Sequence, residues 1–290
     1  MSGLTDNLRL RGLLLTTTGV LILTPDALLV RLISCDPWTL LFWRGLFQFT
    51  ALLLFYLITQ GADMLRTWKS IGGLGLLISC SYATGNILFV HSIRSTSAAN
   101  TLLIVSAAPL IAAILSRFIL KEKTGMRTWI AAVICMAGIA IILAGGISAG
   151  STGGNGLAML TAITMACSFV MIRRARAIPM VPAVALSGLL MSLAVILFAP
   201  HLTVSLRDMG YLFILGFVIM PIAFGLITLG PRYISAPEVS LIMLIETVLG
   251  PFWVWMAFSE HPAPSTYVGG AIVLLTLIAH AWSGLAGKSG

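Results

Sequence analysis

Apolar residues run along this chain in about ten long segments, separated by short polar connectors. A helix of about 20 apolar residues is long enough to cross a hydrocarbon core roughly 30 Å thick. The connectors leave no room for a soluble domain. The pattern therefore predicts an all-α integral membrane protein with about ten transmembrane helices. Segments one to ten are predicted at residues 12–34, 37–58, 70–92, 96–119, 127–145, 155–173, 181–199, 208–230, 235–258 and 264–285.

The residue pattern repeats at a fixed interval of 138 positions, the distance from Arg94 to Arg232. The matching residues are Arg94, Ser97, Ala98, Leu103, Ile104, Glu122 and Thr128, which recur as Arg232, Ser235, Ala236, Leu241, Ile242, Glu260 and Thr266. Each copy holds five segments, an odd number, so the second copy crosses the membrane upside down relative to the first. Such inverted repeats are common in secondary transporters, which bind substrate near mid-membrane between the repeats. We expect the copies at residues 1–144 and 156–290, joined by a Gly-rich linker at 145–155.

The composition excludes an ordinary soluble protein, because 59% of the residues are hydrophobic, only 9% are charged and the mean hydropathy is +1.05. A net charge of +8 could suggest a nucleic-acid partner, but the basic residues are distributed by topology instead. With the N-terminus in the cytoplasm, all but four of the 17 Lys and Arg residues face inside. The pattern predicts no nucleic-acid partner, and a multi-pass inner-membrane protein with both termini cytoplasmic. The four exceptions are Arg31, Arg94 and Arg207, which face outside, and Arg44, which lies within a segment.

No residue pattern points to catalysis, a cofactor or a metal. The four cysteines lie far apart and form no CxxC pair. The Gly-rich stretch at 145–154 lacks the Gly-Lys-Ser/Thr ending of a phosphate-binding loop, and no cluster of the HExxH kind occurs. The sequence thus predicts no catalytic residues, no metal site and no cofactor, so that transport would draw on an ion or substrate gradient.

Four charged residues, Asp26, Arg44, Glu238 and Glu246, lie within apolar segments. A charge at the centre of such a segment costs about 3 kcal/mol or more and needs a partner, water or a task. Asp26 follows Pro25 in segment one, where the proline removes a helical hydrogen bond and exposes a carbonyl. Arg44 in segment two is a candidate charge partner. Asp26 and Arg44 could line a cavity, or they could form a structural pair that only joins segments one and two.

Glu246 is the deepest carboxylate, near the middle of segment nine and five residues before Pro251. Burial favours the neutral acid, so this carboxyl could exchange protons with either side and couple proton flow to substrate. The alternative is a structural carboxylate that is protonated or paired with Arg. Glu238, after Pro237 near the cytoplasmic end of the same segment, is interpreted as an end-of-helix charge favoured by the helix dipole.

Further polar residues interrupt segments three and four. Tyr82, Asn86 and His91 are spaced four and five residues apart, which suggests one helical face offering hydrogen bonds and an aromatic wall. Asn100 precedes Pro109 on segment four. All four polar residues could line a substrate pathway, or they could join helices by hydrogen bonds. The candidate helix breaks are Pro25, Pro109, Pro221 and Pro251.

Small residues dominate one face of segments five and ten, at Ala131 and Ala132 and at the matching Gly269 and Gly270. Such faces let helix backbones approach closely. They indicate either packing helices or an oligomer surface, and a homodimer is one expectation.

Two stretches at matching positions, Pro109–Glu122 and Glu246–Glu260, carry a family resemblance. With Pro25-Asp26-Ala27-Leu28 and Phe42-Trp43-Arg44-Gly45, they resemble the EamA-type members of the drug/metabolite transporter superfamily. The resemblance covers nearly the whole chain and implies a ten-helix inner-membrane exporter of small metabolites. That family often has Glu-Pro at the centre of both copies. This chain instead has Ala108-Pro109 and Glu246-Thr247, so any central acidic role falls to Glu246 alone.

The sequence therefore favours a secondary transporter that exports small metabolites or amphipathic drugs by alternating access, with proton coupling as an option. Its partners would be a small-molecule substrate and the lipid bilayer. We expect a central cavity lined by segments one, three, four, six, eight and nine. A flippase for lipid-linked substrates and a passive channel are the alternatives. A membrane-embedded enzyme is less favoured, because no catalytic cluster is found.

Overall fold

A computed structural model of the protein describes residues 2–95, 98–122, 124–143, 152–258 and 264–286. Every regular element in these residues is a helix, which confirms the predicted all-α membrane fold. Five described stretches are long and apolar enough to cross a membrane: Asn7–Leu32, Pro37–Ser70, Gly72–Ser95, Thr152–Arg174 and Leu206–Arg232. Shorter apolar helices among the described residues are Ala108–Leu120, Met126–Ile141, Val181–Val195 and Tyr267–His280.

The helices follow the ten segments of the sequence. Uninterrupted helices form segments two, three, five, six, seven, nine and ten: Pro37–Gln60, Gly72–Ser95, Met126–Leu143, Thr152–Arg174, Val181–Val195, Ala236–Phe258 and Pro264–Ala286. Segments one and four are interrupted: Ser2–Leu23 is followed by Asp26–Leu32, and Ala98–Val105 by Ala108–Leu115, which continues into the π-helix Ser116–Leu120. Segment eight is continuous and passes from Leu206–Phe213 through the π-helix Ile214–Ile219 into Met220–Leu229. Segment one thus begins ten residues earlier than the expected residue 12. The connectors contain the short helices Gly61–Asp63, Met64–Ser70 and Gly230–Arg232.

Prolines accompany the interruptions in segments one and four and the end of the π-helix in segment eight. Pro25 precedes Asp26–Leu32, Pro109 lies in the first turn of Ala108–Leu115, and Pro221 begins the last helix of segment eight. Each proline lacks the N–H that a continuous helix would use. Pro251 differs, because the helix Ala236–Phe258 continues through it. One missing hydrogen bond can be absorbed where neighbouring helices surround the backbone.

One end of the bundle holds both the beginning and the end of the described chain. The Arg9 Nη2 atom lies 2.5 Å from Glu238 Oε1, and His280 Nε2 lies 3.8 Å from the same oxygen. Arg232 at the end of segment eight donates through Nε to the Arg176 carbonyl at 2.9 Å. The Arg11 guanidinium lies over the Tyr233 ring, which joins these groups into one cluster. We call this side the basic end.

We call the opposite side of the bundle the far end. Segment six runs from the far end to the basic end and identifies which residues lie at each. At its start, Gly154 accepts a hydrogen bond from Ser92 Oγ at 3.0 Å. At its other end, Arg173 donates to the Pro231 carbonyl, next to Arg232, at 3.1 Å. Arg94, two residues beyond Ser92, therefore lies at the far end and its repeat mate Arg232 at the basic end, as an inverted repeat requires. Glu260, the predicted counterpart of Glu122 in the second copy, lies outside the described residues.

Segments five and ten pack against each other through their small residues. Ala131 and Ala132 are buried. A Cβ atom on Gly138 would lie 3.0 Å from the Gly269 carbonyl oxygen. The small faces therefore serve packing within the chain. The homodimer stays a proposal.

Segments two and seven approach most closely at Gly45 and Gly188. A Cβ on Gly45 would lie 2.5 Å from the Gly188 carbonyl oxygen and 2.6 Å from Ser192 Oγ. We expect Gly45→Ala to destabilise the protein by about 1–3 kcal/mol through overpacking. The measurement is the thermal midpoint of the purified protein in detergent. Gly225→Ala is the control, because a Cβ there meets nothing within 4 Å. Equal midpoints for both variants would show that the two segments can separate without cost.

Candidate functional site

A cavity of about 120 Å³ lies inside the bundle, between segments of both copies. Its lining comes from segments one, three and four of the first copy and from segments six, eight and nine of the second. These are the six segments that the sequence analysis predicted. The cavity therefore occupies the position between repeats where secondary transporters bind their substrates.

The cavity wall combines aromatic rings with small polar groups. Rings are contributed by Tyr82, Phe89, Phe169 and Phe224, and further apolar surface by Met and Leu side chains. Two acidic residues, Asp26 and Glu246, share this lining with hydroxyl and amide side chains. No Lys, Arg or His is among the described lining residues. A mostly apolar wall with a few convergent polar groups is typical of a small-molecule site.

Asp26 reaches the cavity because segment one breaks just before it. The residue is only 4% exposed, and Arg44, from segment two, is 3% exposed. The Arg44 Nη2 atom lies 3.3 Å from both carboxylate oxygens of Asp26 and 3.2 Å from the sulfur of Met220. Asp26 Oδ1 accepts no hydrogen bond, and Arg44 Nε donates none. The ion pair is therefore long and incompletely hydrogen-bonded, and Arg44 stands behind Asp26 without lining the cavity.

Glu246 lies near the middle of segment nine and is half-buried, with its remaining surface on the cavity. No hydrogen bond or ion pair joins its side chain to another described residue. Asp26 and Arg44 lie close enough to act on it electrostatically. The two carboxylates repel each other, while the single guanidinium attracts both. One carboxylate charge in the site is therefore left without a counter-ion from the described side chains.

Tyr82 and Asn86 both line the cavity from segment three. The Tyr82 hydroxyl lies 3.4 Å from Thr228 Oγ1, and its ring meets Phe224 edge-on at 5.7 Å between centroids. The Asn86 amide donates to the Tyr82 carbonyl at 2.9 Å. That bond ties the amide nitrogen to its own helix.

Hydroxyl side chains that sequence reasoning missed complete the wall between segments three and six. Ser81 Oγ donates to the Thr164 carbonyl at 3.0 Å, and Ser168 Oγ donates to Ser81 Oγ at 2.9 Å. Ser81, Thr161 and Ser168 line the cavity. Thr161 and Ser168 lie seven residues apart, which places them on one face of segment six, with Thr164 between them. That spacing is the sequence signal that could have found them.

His91 does not line the cavity, which corrects the predicted common face with Tyr82. A helix turns about 100° per residue, so nine residues bring His91 about half a turn away from Tyr82. The His91 ring instead packs at 4.0 Å, between centroids, against Trp38, which also stacks on Phe198. The side chain of Asn100 lies outside the described residues, as does that of Pro251.

Glu238 lies at the basic end, outside the cavity. Its Oε2 atom accepts hydrogen bonds from Ser235 N at 2.9 Å and Ser235 Oγ at 2.7 Å, while its Oε1 atom meets Arg9. The carboxylate thus caps the first turn of segment nine and binds segment one. The structure agrees with its interpretation as an end-of-helix charge.

The sequence profile of the EamA-like transporter family matches this chain twice, at residues 10–144 and at residues 152–280. The chain belongs to the EamA-like transporter family. Its two family matches fall one on each copy of the repeat, so the cavity of this EamA-like transporter lies between two related units. Membership in this family makes the protein a membrane transporter.

Two other proteins are similar to this chain, one in sequence and one in fold. The transporter YdfC of Bacillus subtilis strain 168, itself uncharacterised, is 27% identical over 251 residues, which cover 82% of this EamA-like chain and 79% of YdfC. One crystal structure matches with a TM-score of 0.81 over 94% of this chain and 97% of the other, at 18% identity. That second likeness shows the fold alone.

Proposed function

We propose that this protein is a secondary transporter that exports small metabolites or amphipathic drugs across the bacterial inner membrane by alternating access. The observation that carries the proposal is the internal cavity, to which each repeat contributes three segments and one carboxylate. Asp26 comes from the first repeat and Glu246 from the second. A site shared in this way changes its access when the two repeats rock against each other.

Contacts between the copies at both ends of the bundle support a carrier over a passive channel. At the basic end, Arg9 of segment one pairs with Glu238 of segment nine. Toward the far end, the Trp253 indole of segment nine donates to Thr24 Oγ1 of segment one at 2.9 Å. A passive channel needs a continuous pore, whereas alternating access needs contacts that break on one side at a time.

Glu246 is proposed as the group that couples transport to protons. Its carboxyl lies on the cavity and has no hydrogen bond or ion pair to another described residue, so a proton can add or leave without breaking an existing contact. Ionisable residues inside membrane segments mark proton and substrate pathways. Binding of substrate and proton at one carboxyl would link the two fluxes.

Counterflow in proteoliposomes tests the proposed function. The purified full chain is reconstituted, the vesicles are loaded with an unlabelled candidate, and uptake of the same labelled compound is followed. A carrier gives saturable uptake that overshoots when the vesicles are preloaded. Uptake that rises without saturation would support a channel, and release of a chemically altered product would support an enzyme.

The basic end is proposed to face the cytoplasm. The beginning and the end of the described chain both lie there, with Arg9, Arg173 and Arg232. Basic residues are retained on the cytoplasmic side of inner-membrane proteins. A reporter that fluoresces only in the cytoplasm, fused to the C-terminus, is expected to be active; a periplasmic C-terminus would overturn the orientation.

A further inference from the structure

We propose that the substrate is a small organic monocation, an amine whose ammonium group binds between Asp26 and Glu246 and whose apolar body lies against the aromatic wall. The inference rests on the proposed transport function and adds the chemical class of the transported molecule. It follows from the charge of the cavity, from unused hydrogen-bond acceptors and from the shape of the wall.

The cavity has an excess of negative charge. Its described lining contains two carboxylates and no basic side chain. The nearby guanidinium of Arg44 is 3% exposed and lies behind Asp26, so a ligand in the cavity does not reach it. Two carboxylates against one guanidinium leave one negative charge when all three groups are ionised. A monovalent cation balances this charge, and at low dielectric that balance favours its binding.

The two carboxylates of the lining are incompletely hydrogen-bonded. Asp26 is 96% buried, and its Oδ1 atom accepts no hydrogen bond although Arg44 Nη2 lies 3.3 Å away. The Glu246 carboxylate accepts none from the described residues. An unmade hydrogen bond at a buried carboxylate is energetically costly, so a ligand that supplies donors there gains affinity. An ammonium group offers up to three N–H donors and no acceptor, which suits two neighbouring carboxylates.

The aromatic and apolar part of the lining suits an apolar body attached to that cation. Tyr82, Phe89, Phe169 and Phe224 line the cavity, and ring faces attract cations as well as apolar groups. A volume of about 120 Å³ is below the roughly 300–1,000 Å³ of drug-sized sites. A one-ring or short alkyl amine fits this volume better than a large drug does.

The same features of the cavity disfavour the binding of amino acids and organic acids. Both carry a carboxylate, which would lie beside Asp26 and Glu246 with no basic side chain from the described lining to receive it. Like charges held together in a poorly solvated site repel strongly. A zwitterionic amino acid should therefore bind more weakly than the amine that remains after its carboxylate is removed.

A matched series of probes separates charge from shape. Phenethylamine, phenylalanine, 3-phenylpropanoate and 2-phenylethanol share one ring and differ in charge. A second series replaces the ring by a butyl chain. Binding to the purified full chain is measured by calorimetry, and counterflow is measured in proteoliposomes. We expect the amines to bind and to exchange. Every probe of the same series without a net positive charge should bind about tenfold or more weakly, which is the effect of losing a charged hydrogen bond.

The outcomes distinguish this proposal from the proposed function. Saturable counterflow of phenylalanine, 3-phenylpropanoate or 2-phenylethanol at least as strong as that of phenethylamine overturns the cation proposal and leaves the transporter intact. Absence of saturable flux and of binding for every member of both series overturns the cation proposal as well, and it counts against a carrier of small metabolites.

Two substitutions at Glu246 test the placement of the ammonium group. Glu246→Gln should weaken phenethylamine binding about tenfold or more, whereas Glu246→Asp keeps the charge and should retain the preference for the amine. Asp63→Asn removes a carboxylate from the exposed connector helix Gly61–Asp63 and is the control. Size-exclusion chromatography in detergent verifies folding. Equal binding by the Gln and Asp variants would overturn the assigned position.

Discussion

Replacing Asp26 with Asn is expected to destabilise the protein by about 3–5 kcal/mol, because Arg44 would remain buried without its carboxylate. The two residues are 4% and 3% exposed, so water does not replace the lost partner. The asparagine side chain fills nearly the same volume, which limits the effect to charge. Thermal unfolding of the purified protein in detergent should show a fall in Tm of roughly 10 °C or more.

A double variant separates the ion pair from packing. Asp26→Asn with Arg44→Met removes both charges, and we expect it to recover most of the lost stability, because no unpaired buried charge is left. Glu122→Gln is the matched control, since the Glu122 side chain is 36% exposed and its pairing with Arg173 at 3.1 Å should contribute only about 0–1 kcal/mol. If Asp26→Asn cost no more than this control, the pair would not hold segments one and two together.

The fold was largely predictable because the bilayer imposes simple requirements. Each crossing needs about 20 apolar residues, and the fixed displacement between Arg94 and Arg232 reveals the duplication without a structure. The predicted start of segment one was wrong for a physical reason. Segment one was expected to begin at residue 12 because Asn7, Arg9 and Arg11 are polar, yet the helix begins at Ser2, and Arg9 is held by Glu238 from segment nine. Local sequence does not show a partner 229 positions away.

The site was predictable where polarity is costly. Asp26, Tyr82, Asn86 and Glu246 stood out because each interrupts an apolar segment, and the structure places all four on the cavity. Hydroxyl residues were missed since Ser and Thr can satisfy themselves within a helix. Ser168 Oγ, for example, lies 2.8 Å from the Thr164 carbonyl oxygen of its own helix, so its one hydrogen can be donated there instead of to Ser81. A single Ser or Thr in a membrane segment therefore gives little sign that it faces a cavity, and only a helical spacing such as that of Thr161 and Ser168 indicates a shared polar face.

Replacing Glu246 with Gln is expected to abolish the pH dependence of transport and to cut the flux about tenfold or more, while membrane insertion survives. Gln keeps the shape of the side chain but has no proton to exchange. In the parent protein, raising the pH ionises Glu246 and strengthens binding of a cation, and lowering the pH protonates it and weakens that binding. The Gln variant should give a flat profile at the low level. Insertion survives because a neutral amide costs less in the membrane than a charge does.

The measurement is counterflow of phenethylamine at a series of pH values below about 9, where an alkylammonium keeps its charge. The pH is equal on both sides of the vesicle, so that no proton gradient contributes. Asp63→Asn serves again as the control and should keep both the flux and the pH profile of the parent. An unchanged flux with an unchanged profile in Glu246→Gln would assign Glu246 to helix packing. Tyr82 and Asn86, which line the same cavity, would then be the better candidates for substrate binding. A flat profile with undiminished flux would instead separate the two roles, leaving Glu246 as the proton site and moving substrate recognition to Asp26.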